Sequence, residues 1–132
     1  MKFIGRIEKI NLLDLQINNL SSKIDTGAFG NALHCDEVKI VDNKLSFSID
    51  DKKFLFEKYK TVIVKNSFGK KEKRFLIFTR IKLGDSIYKV YLSLANRKNM
   101  KHPMLIGRRF LYKFDYLVDV KEKNTYDRVK KM

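Results

Sequence analysis

Ser22-Lys-Ile-Asp-Thr-Gly-Ala-Phe-Gly-Asn-Ala-Leu33 is the stretch on which the reading of this chain turns. An apolar lead-in, Ser21 to Asp25, reads as a strand that stops at Asp25-Thr26-Gly27-Ala28. The stop leaves a carboxylate at a strand end, a hydroxyl after it, and then a residue without a Cβ that turns sharply without a clash. A single Asp at a strand end is ordinarily a turn or cap residue. A second stretch, Met104-Leu-Ile-Gly-Arg-Arg-Phe-Leu111, lifts this one above that reading, because the two belong to one two-part signature.

Working outward, most of the chain reads as short strands. Phe3-Ile4 and Ile7 open the domain, and Leu12 to Ile17 give a second apolar stretch. Leu45, Phe47 and Ile49 alternate with polar residues, the pattern of a half-buried strand. A charged turn, Asp50-Asp-Lys-Lys53, leads to Phe54-Leu-Phe56. Lys60 to Lys65 and Phe75 to Leu83 are rich in β-branched and aromatic residues, with Asn66-Ser-Phe-Gly69 as the turn between them. Gly84-Asp85 then predicts a hairpin into Ile87 to Leu94, where Tyr88, Val90, Leu92 and Leu94 share one face. Arg108 to Phe114 is the best helical segment, with Leu111 and Phe114 expected toward the core, and Leu117 to Val120 reads as a closing strand. The sum is an all-β domain with one short C-terminal helix, a closed or partly closed barrel over residues 1–120, followed by a polar Lys-rich tail over 121–132.

Length and composition agree with one globular domain. The chain has 132 residues, 44 % of them apolar, enough for a single core. No apolar run approaches the roughly 18 residues of a membrane span. The N-terminal residues show no apolar signal region, and the one cysteine, Cys35, has no internal mate, so the expectation is a reducing, cytoplasmic setting. Lys and Arg number 29 against 15 Asp and Glu, a formal charge of +14. Such a surface is either a solvated, Lys-rich exterior or the counterpart of an anionic partner: RNA, a ribosome surface or an acidic peptide.

A strand that ends in Asp-Thr-Gly-Ala is the arrangement aspartic proteases use for a catalytic carboxylate. That chemistry needs two carboxylates about 3 Å apart sharing one proton, since like charges so close cannot both ionise. One takes a proton from water while the other polarises the scissile carbonyl. This chain supplies one Asp-Thr-Gly, so the dyad requires a symmetric homodimer with Asp25 from each subunit. Thr26 would bond across the two-fold axis, and Gly27 would let the two backbones approach.

The sequence resembles the RimB-like family of retropepsin-like aspartic proteases, a family also carried under the name ATP-dependent zinc protease. The resemblance rests on Ile4-Gly-Arg6, Lys23-Ile-Asp-Thr-Gly-Ala28 and Ala32-Leu-His34. It continues through Ser67, Gly69, Glu72 and Arg74, then Asn96-Arg97, Met100 and Met104-Leu-Ile-Gly-Arg108. It implies a retropepsin-like barrel with Asp25, Thr26 and Gly27 catalytic. It implies substrate contacts from Ala28, Phe29, Ser67, Gly69, Glu72, Arg74, Arg97 and Arg108. Family members trim glutamate residues that an ATP-grasp ligase adds to the C-terminus of a small-subunit ribosomal protein, so the implied substrate is an acidic, glutamate-tailed peptide. Where the family usually shows Arg-Thr-Ser after Asp-Thr-Gly-Ala, this chain has Phe29-Gly30-Asn31, which bears on substrate preference and leaves the carboxylate in place.

A run of glutamates suits a strongly cationic protein. Arg6, Arg74, Arg97 and Arg108 are candidate carboxylate binders, because a guanidinium holds a carboxylate with two parallel bonds. For Arg108 a bracing role against an internal acid is the favoured reading; for Arg74 and Arg97 both roles stay open. Ser67 to Glu72 falls where retropepsins place the flap, with Gly69 at its tip, and reads equally as a plain solvated hairpin. No metal or cofactor is expected. His34, His102 and Cys35 lack zinc-site spacing, no phosphate-binding loop is present, and His34 reads as a hydrogen-bonded structural residue. Two other functions compete: a catalytically silent peptide- or ribosome-binding module on the same fold, and a basic barrel that binds RNA with Tyr88, Tyr91 and Phe residues as stacking platforms.

Overall fold

Strand β10, Ser86–Ala95, shows directly why the chain folds as it does. Tyr88, Val90, Leu92 and Leu94 are buried and their alternates face outward, so one side of the strand belongs to a core. The computed structural model describes residues 2–65, 68–97 and 99–126. The other elements are β1 (Lys2–Gly5), β2 (Ile7–Leu12), β3 (Ile17–Ile24), β4 (Asn31–His34), β5 (Asp36–Val41) and β6 (Lys44–Ile49). They continue with β7 (Lys52–Phe56), β8 (Lys60–Lys65), β9 (Lys71–Leu83), β11 (Met104–Ile106), α1 (Arg108–Lys113) and β12 (Tyr116–Asp119).

The strands β10, β4, β11, β3, β2 and β9 follow one another, and β9 pairs again with β10, so the sheet closes into a barrel of six strands. Closure removes free edges from all six. β8 stands outside the ring, paired along β9 from Lys60↔Leu76 to Lys65↔Lys71. The Gly84-Asp85 turn joins β9 to β10 as expected. β5, β6 and β7 form a separate antiparallel sheet whose turns, Asp42-Asn43 and Asp50-Asp51, have both residues at positive φ, the geometry that tight hairpins favour. β1 and β12 pair in parallel. Inside lie Ile4, Ile10, Leu12, Leu33, Leu45, Phe47, Ile77, Ile81, Leu83, Leu92, Met104 and Ile106. No helix among the described residues is long and apolar enough to cross a membrane.

The all-β barrel with a single short helix matches the sequence reading, and some particulars differ. Leu12 to Ile17 is not a strand of its own: Leu12 ends β2, Ile17 begins β3, and the residues between turn back, with Gln16 at φ 55° and Leu15 tucked into the core. In α1 the buried residues are Phe110 and Leu111, while Phe114 caps the helix end and packs at the core's rim. Past Lys121 the chain stays on the barrel as far as it is described. Glu8, buried among apolar residues, accepts the Gly5 amide at 2.7 Å and the Thr125 amide at 2.8 Å, and the Asn124 amide donates to Ile7 at 2.8 Å.

Candidate active site

β11 lies between β3 and β4, parallel to the first (Lys23↔Leu105) and antiparallel to the second (Leu105↔Ala32). The chain leaving β3 must therefore travel around the end of β11 before it enters β4. That detour is Asp25 to Gly30. It is locked at both ends by backbone bonds to the second motif. The Asp25 amide donates to Ile106 at 2.9 Å; the Arg108 and Arg109 amides donate to Ala28 at 2.8 Å and Phe29 at 3.1 Å. Gly107 is where the two motifs press together, because a Cβ there would collide with the carbonyl oxygens of Gly30 and Ala28. Asn31 fastens the return: its Oδ1 accepts the Gly107 amide at 3.1 Å, and its Nδ2 donates to Tyr91 at 3.2 Å.

Asp25 stands at the outer end of this loop with its side chain 30 % exposed. The Gly27 amide donates to its Oδ1 at 2.9 Å, and Lys23 Nζ approaches its Oδ2 to 3.9 Å. Thr26 is exposed beside it. Arg108 donates to the Gly27 carbonyl oxygen at 3.1 Å, and both Arg108 and Arg109 lie over the exposed Phe29 ring, with centroid distances of 5.4 and 5.8 Å. Arg108 thus braces the loop, through a backbone carbonyl where an internal acid was expected.

Cross-strand partners share a face. The row Lys23, Leu105, Ala32, Ser93, Leu76 and Lys60 therefore forms one outward strip across β3, β11, β4, β10, β9 and β8. Asp25 and Phe29 lie toward one end of this floor. At the other end stand His34, Arg74 and Arg97. Arg97 has its backbone at the His34 end, where its amide donates to His34 Nδ1 at 2.6 Å, and the charge of Asp25 acts on its guanidinium. Burial pushes the Arg97 pKa down from its ordinary value, and Asp25 works against that shift. Burial, with Lys101, Lys23 and Arg97 nearby, also pushes His102 down, and its Nδ1 lies 2.9 Å from Ser21 Oγ.

Of the residues singled out from sequence, the fold gathers Asp25, Thr26, Gly27, Ala28 and Phe29 into one loop and sets Arg108, at the start of α1, against it, while the charge of Asp25 acts on Arg97. Gly69, at φ 78°, and Glu72 and Arg74 belong to the β8–β9 hairpin, where Arg74 meets Glu72 at 3.4 Å. Ser67 lies outside the described residues. Arg6 is spent elsewhere, donating to the Val120 carbonyl oxygen at 3.1 Å. Sequence reasoning passed over Lys23 and Asn31; His34 is hydrogen-bonded as expected, though its partner Arg97 was not foreseen. Lys23 had a signal, since a residue two before Asp25 on a strand shares its face; the other two bonds join segments far apart in the chain.

The chain belongs to the RimB-like family: the family model, described as retropepsin-like aspartic endopeptidase RimB, matches residues 3–129. A crystal structure of a Legionella pneumophila protein of unknown function is similar at a TM-score of 0.75 and 28 % identity, covering 95 % of this chain and 98 % of that one. A probable alpha-L-glutamate ligase of Desulfotalea psychrophila is 29 % identical over 119 residues, 81 % of this chain. One from Parasynechococcus marenigrum is 26 % identical over 117 residues, 80 % of this chain. The chain spans only 26 % and 25 % of the length of those two relatives.

Proposed function

We propose that this protein is an aspartic peptidase, active as a homodimer, that cleaves an acidic, glutamate-bearing peptide tail. The observation that carries the reading is the placement of Asp25. Its carboxylate is solvent-facing at the end of a loop held rigid by the second motif, on the rim of a floor flanked by Arg97 and Arg74. One chain supplies one such carboxylate, and a second copy docked across a two-fold axis would supply its mate. The exposed rings of Phe29, Phe78 and Tyr91 offer apolar contact area toward the Asp25 end.

In the dimer the two carboxyl groups hold one proton between them. The ionised one takes a proton from a water as the water oxygen bonds to the scissile carbonyl carbon. The protonated one gives its proton to the carbonyl oxygen. The resulting tetrahedral diol then collapses, the C–N bond breaks, and a proton passes to the departing nitrogen. The β8–β9 hairpin, with Gly69 at its tip, would close over the substrate and exclude water.

Two things support a glutamate-bearing substrate. The first is charge complementarity between a chain of net charge +14 and a run of carboxylates. The second is that the chain is similar to about a quarter of the length of longer proteins named as probable alpha-L-glutamate ligases, a name that fits glutamate-bearing chemistry. A second reading, a binding module without turnover, is favoured by one contact. Lys23 Nζ lies 3.9 Å from Asp25 Oδ2, and in a silent module that charge pairing would persist in place of a second carboxyl.

The test is incubation with an oligoglutamate-tailed peptide, read by mass, with the parent beside Asp25→Asn. Shortening by the parent and none by the variant supports the peptidase. Equal shortening by both removes Asp25 from the chemistry. Peptide retained by both and shortened by neither supports the binding module.

A further inference from the structure

His34 closes β4 opposite Ala95 of β10. Its amide donates to Pro103 at 2.7 Å and the next amide, Cys35, to Ala95 at 3.0 Å, so the backbone under the ring is fixed to both neighbouring strands. The ring spans two partners. Nδ1 accepts the Arg97 amide at 2.6 Å, and Nε2 lies 3.5 Å from Asp36 Oδ2. A ring nitrogen that accepts carries no proton, so the proton of the neutral imidazole belongs on Nε2, where Asp36 favours it. Arg97, held in this way by its backbone, has its Nε buried with no hydrogen-bond partner among the described residues, and Asp25 is the carboxylate whose charge acts on it. A buried donor left open is costly unless something arrives to accept from it.

We infer that His34 is a positioning residue: in its neutral form it latches the segment after β10 so that Arg97 presents its guanidinium to a substrate carboxylate beside the scissile bond. The inference rests on the peptidase reading above and adds its regulation. Protonation at Nδ1 turns the acceptor into a donor that faces another donor, and the Arg97 amide is released. The groups that meet the ring are Asp36 on β5 and Arg97 past β10, and the adjoining segment ahead of β11 carries His102, itself under the charges of Lys101, Lys23 and Arg97.

His34→Asn keeps an oxygen acceptor near the Nδ1 position and does not titrate; His34→Leu keeps neither property. Steady-state kinetics between about pH 5.5 and pH 8, where glutamate side chains are largely ionised, compares an acidic peptide with its glutamine-substituted counterpart. The parent KM for the acidic peptide rises by about tenfold toward the acid end, and that of His34→Asn stays flat. His34→Leu raises the acidic-peptide KM by about tenfold at every pH and moves the glutamine-peptide KM by less than about twofold. An acid limb that persists in His34→Asn, or a His34→Leu loss equal for both peptides, overturns the inference. If the parent cleaves neither peptide the peptidase reading fails by itself, and the same comparisons are made on the affinity of labelled peptides. Nitrogen NMR of the parent's imidazole rings at neutral pH decides the tautomer without any substrate: a proton on Nδ1 of His34 overturns the latch.

Discussion

The Asp25 amide donates to the carbonyl oxygen of Ile106 at 2.9 Å, and this bond joins two motifs that lie far apart in the sequence. Asp25 owes its position less to its own strand than to β11, around whose end the loop must pass. The loop's shape is therefore as sensitive to the second motif as to the first.

Gly107→Ala tests that dependence. The added methyl would meet the carbonyl oxygens of Gly30 and Ala28, which are backbone atoms with no rotamer to adopt. The expected cost is about 3 kcal/mol of stability or more, with loss of activity even in molecules that stay folded. Denaturant unfolding and peptide cleavage, measured on the same preparation, check both parts.

Glu8 secures the segment beyond Lys121. Both carboxylate oxygens accept buried or half-buried backbone amides, those of Gly5 and Thr125. Glu8→Ala leaves both donors without that partner and is expected to cost about 2 to 4 kcal/mol, with Glu8→Gln costing less because one oxygen remains. Thermal melts of the two variants rank them; equal melting points would contradict the assignment.

The Asp14–Arg80 pair gives an acid-side prediction. Hydrogen bonds from the Arg80 guanidinium, at 2.8 and 3.0 Å, and from its amide hold the Asp14 carboxyl down at about 2, from an ordinary 3.8. A depressed carboxylate stabilises the fold fully above its unfolded value and loses that contribution as pH falls through the folded one. Asp14→Asn is therefore less stable than the parent at neutral pH, and the gap closes between about pH 4 and pH 2. Because the pair is exposed and screened, the neutral-pH difference is on the order of 1 kcal/mol. Urea unfolding as a function of pH reads it.

Cys35 is buried at 1 % exposure, and desolvation pushes its thiol up to about 12. At pH 8 the native protein is expected to resist thiol reagents, while the urea-unfolded chain reacts within the ordinary time of an exposed cysteine. Rapid labelling of native protein would mean that the β4–β5 corner opens.

Much of this architecture was legible before any coordinates. β10 announced itself through strict alternation at Tyr88, Val90, Leu92 and Leu94, and the Gly84-Asp85 turn fixed its pairing with β9. Asp25 and Gly107 were visible because their motifs are local. β11 was not, since three residues, Met104 to Ile106, are too few to show a period, and their strand character comes from the neighbours on either side. Leu12 to Ile17 misled for a related reason: an apolar turn residue such as Leu15 looks like strand until the chain is seen to reverse. Asn31 and His34 act through bonds between segments distant in sequence, which no spacing rule encodes, whereas Lys23, two residues before Asp25, lay within reach of the alternation rule.

The central claim is that two Asp25 carboxylates, one per subunit, act together. Parent protein mixed with Asp25→Asn, allowed to exchange subunits and assayed on the acidic peptide, tests it most directly. If both carboxylates are needed, activity follows the square of the parent fraction, and an equal mixture keeps about a quarter of the parent rate. Activity strictly proportional to the parent fraction after exchange, about half the parent rate in the equal mixture, would show each subunit working alone and would contradict the shared dyad.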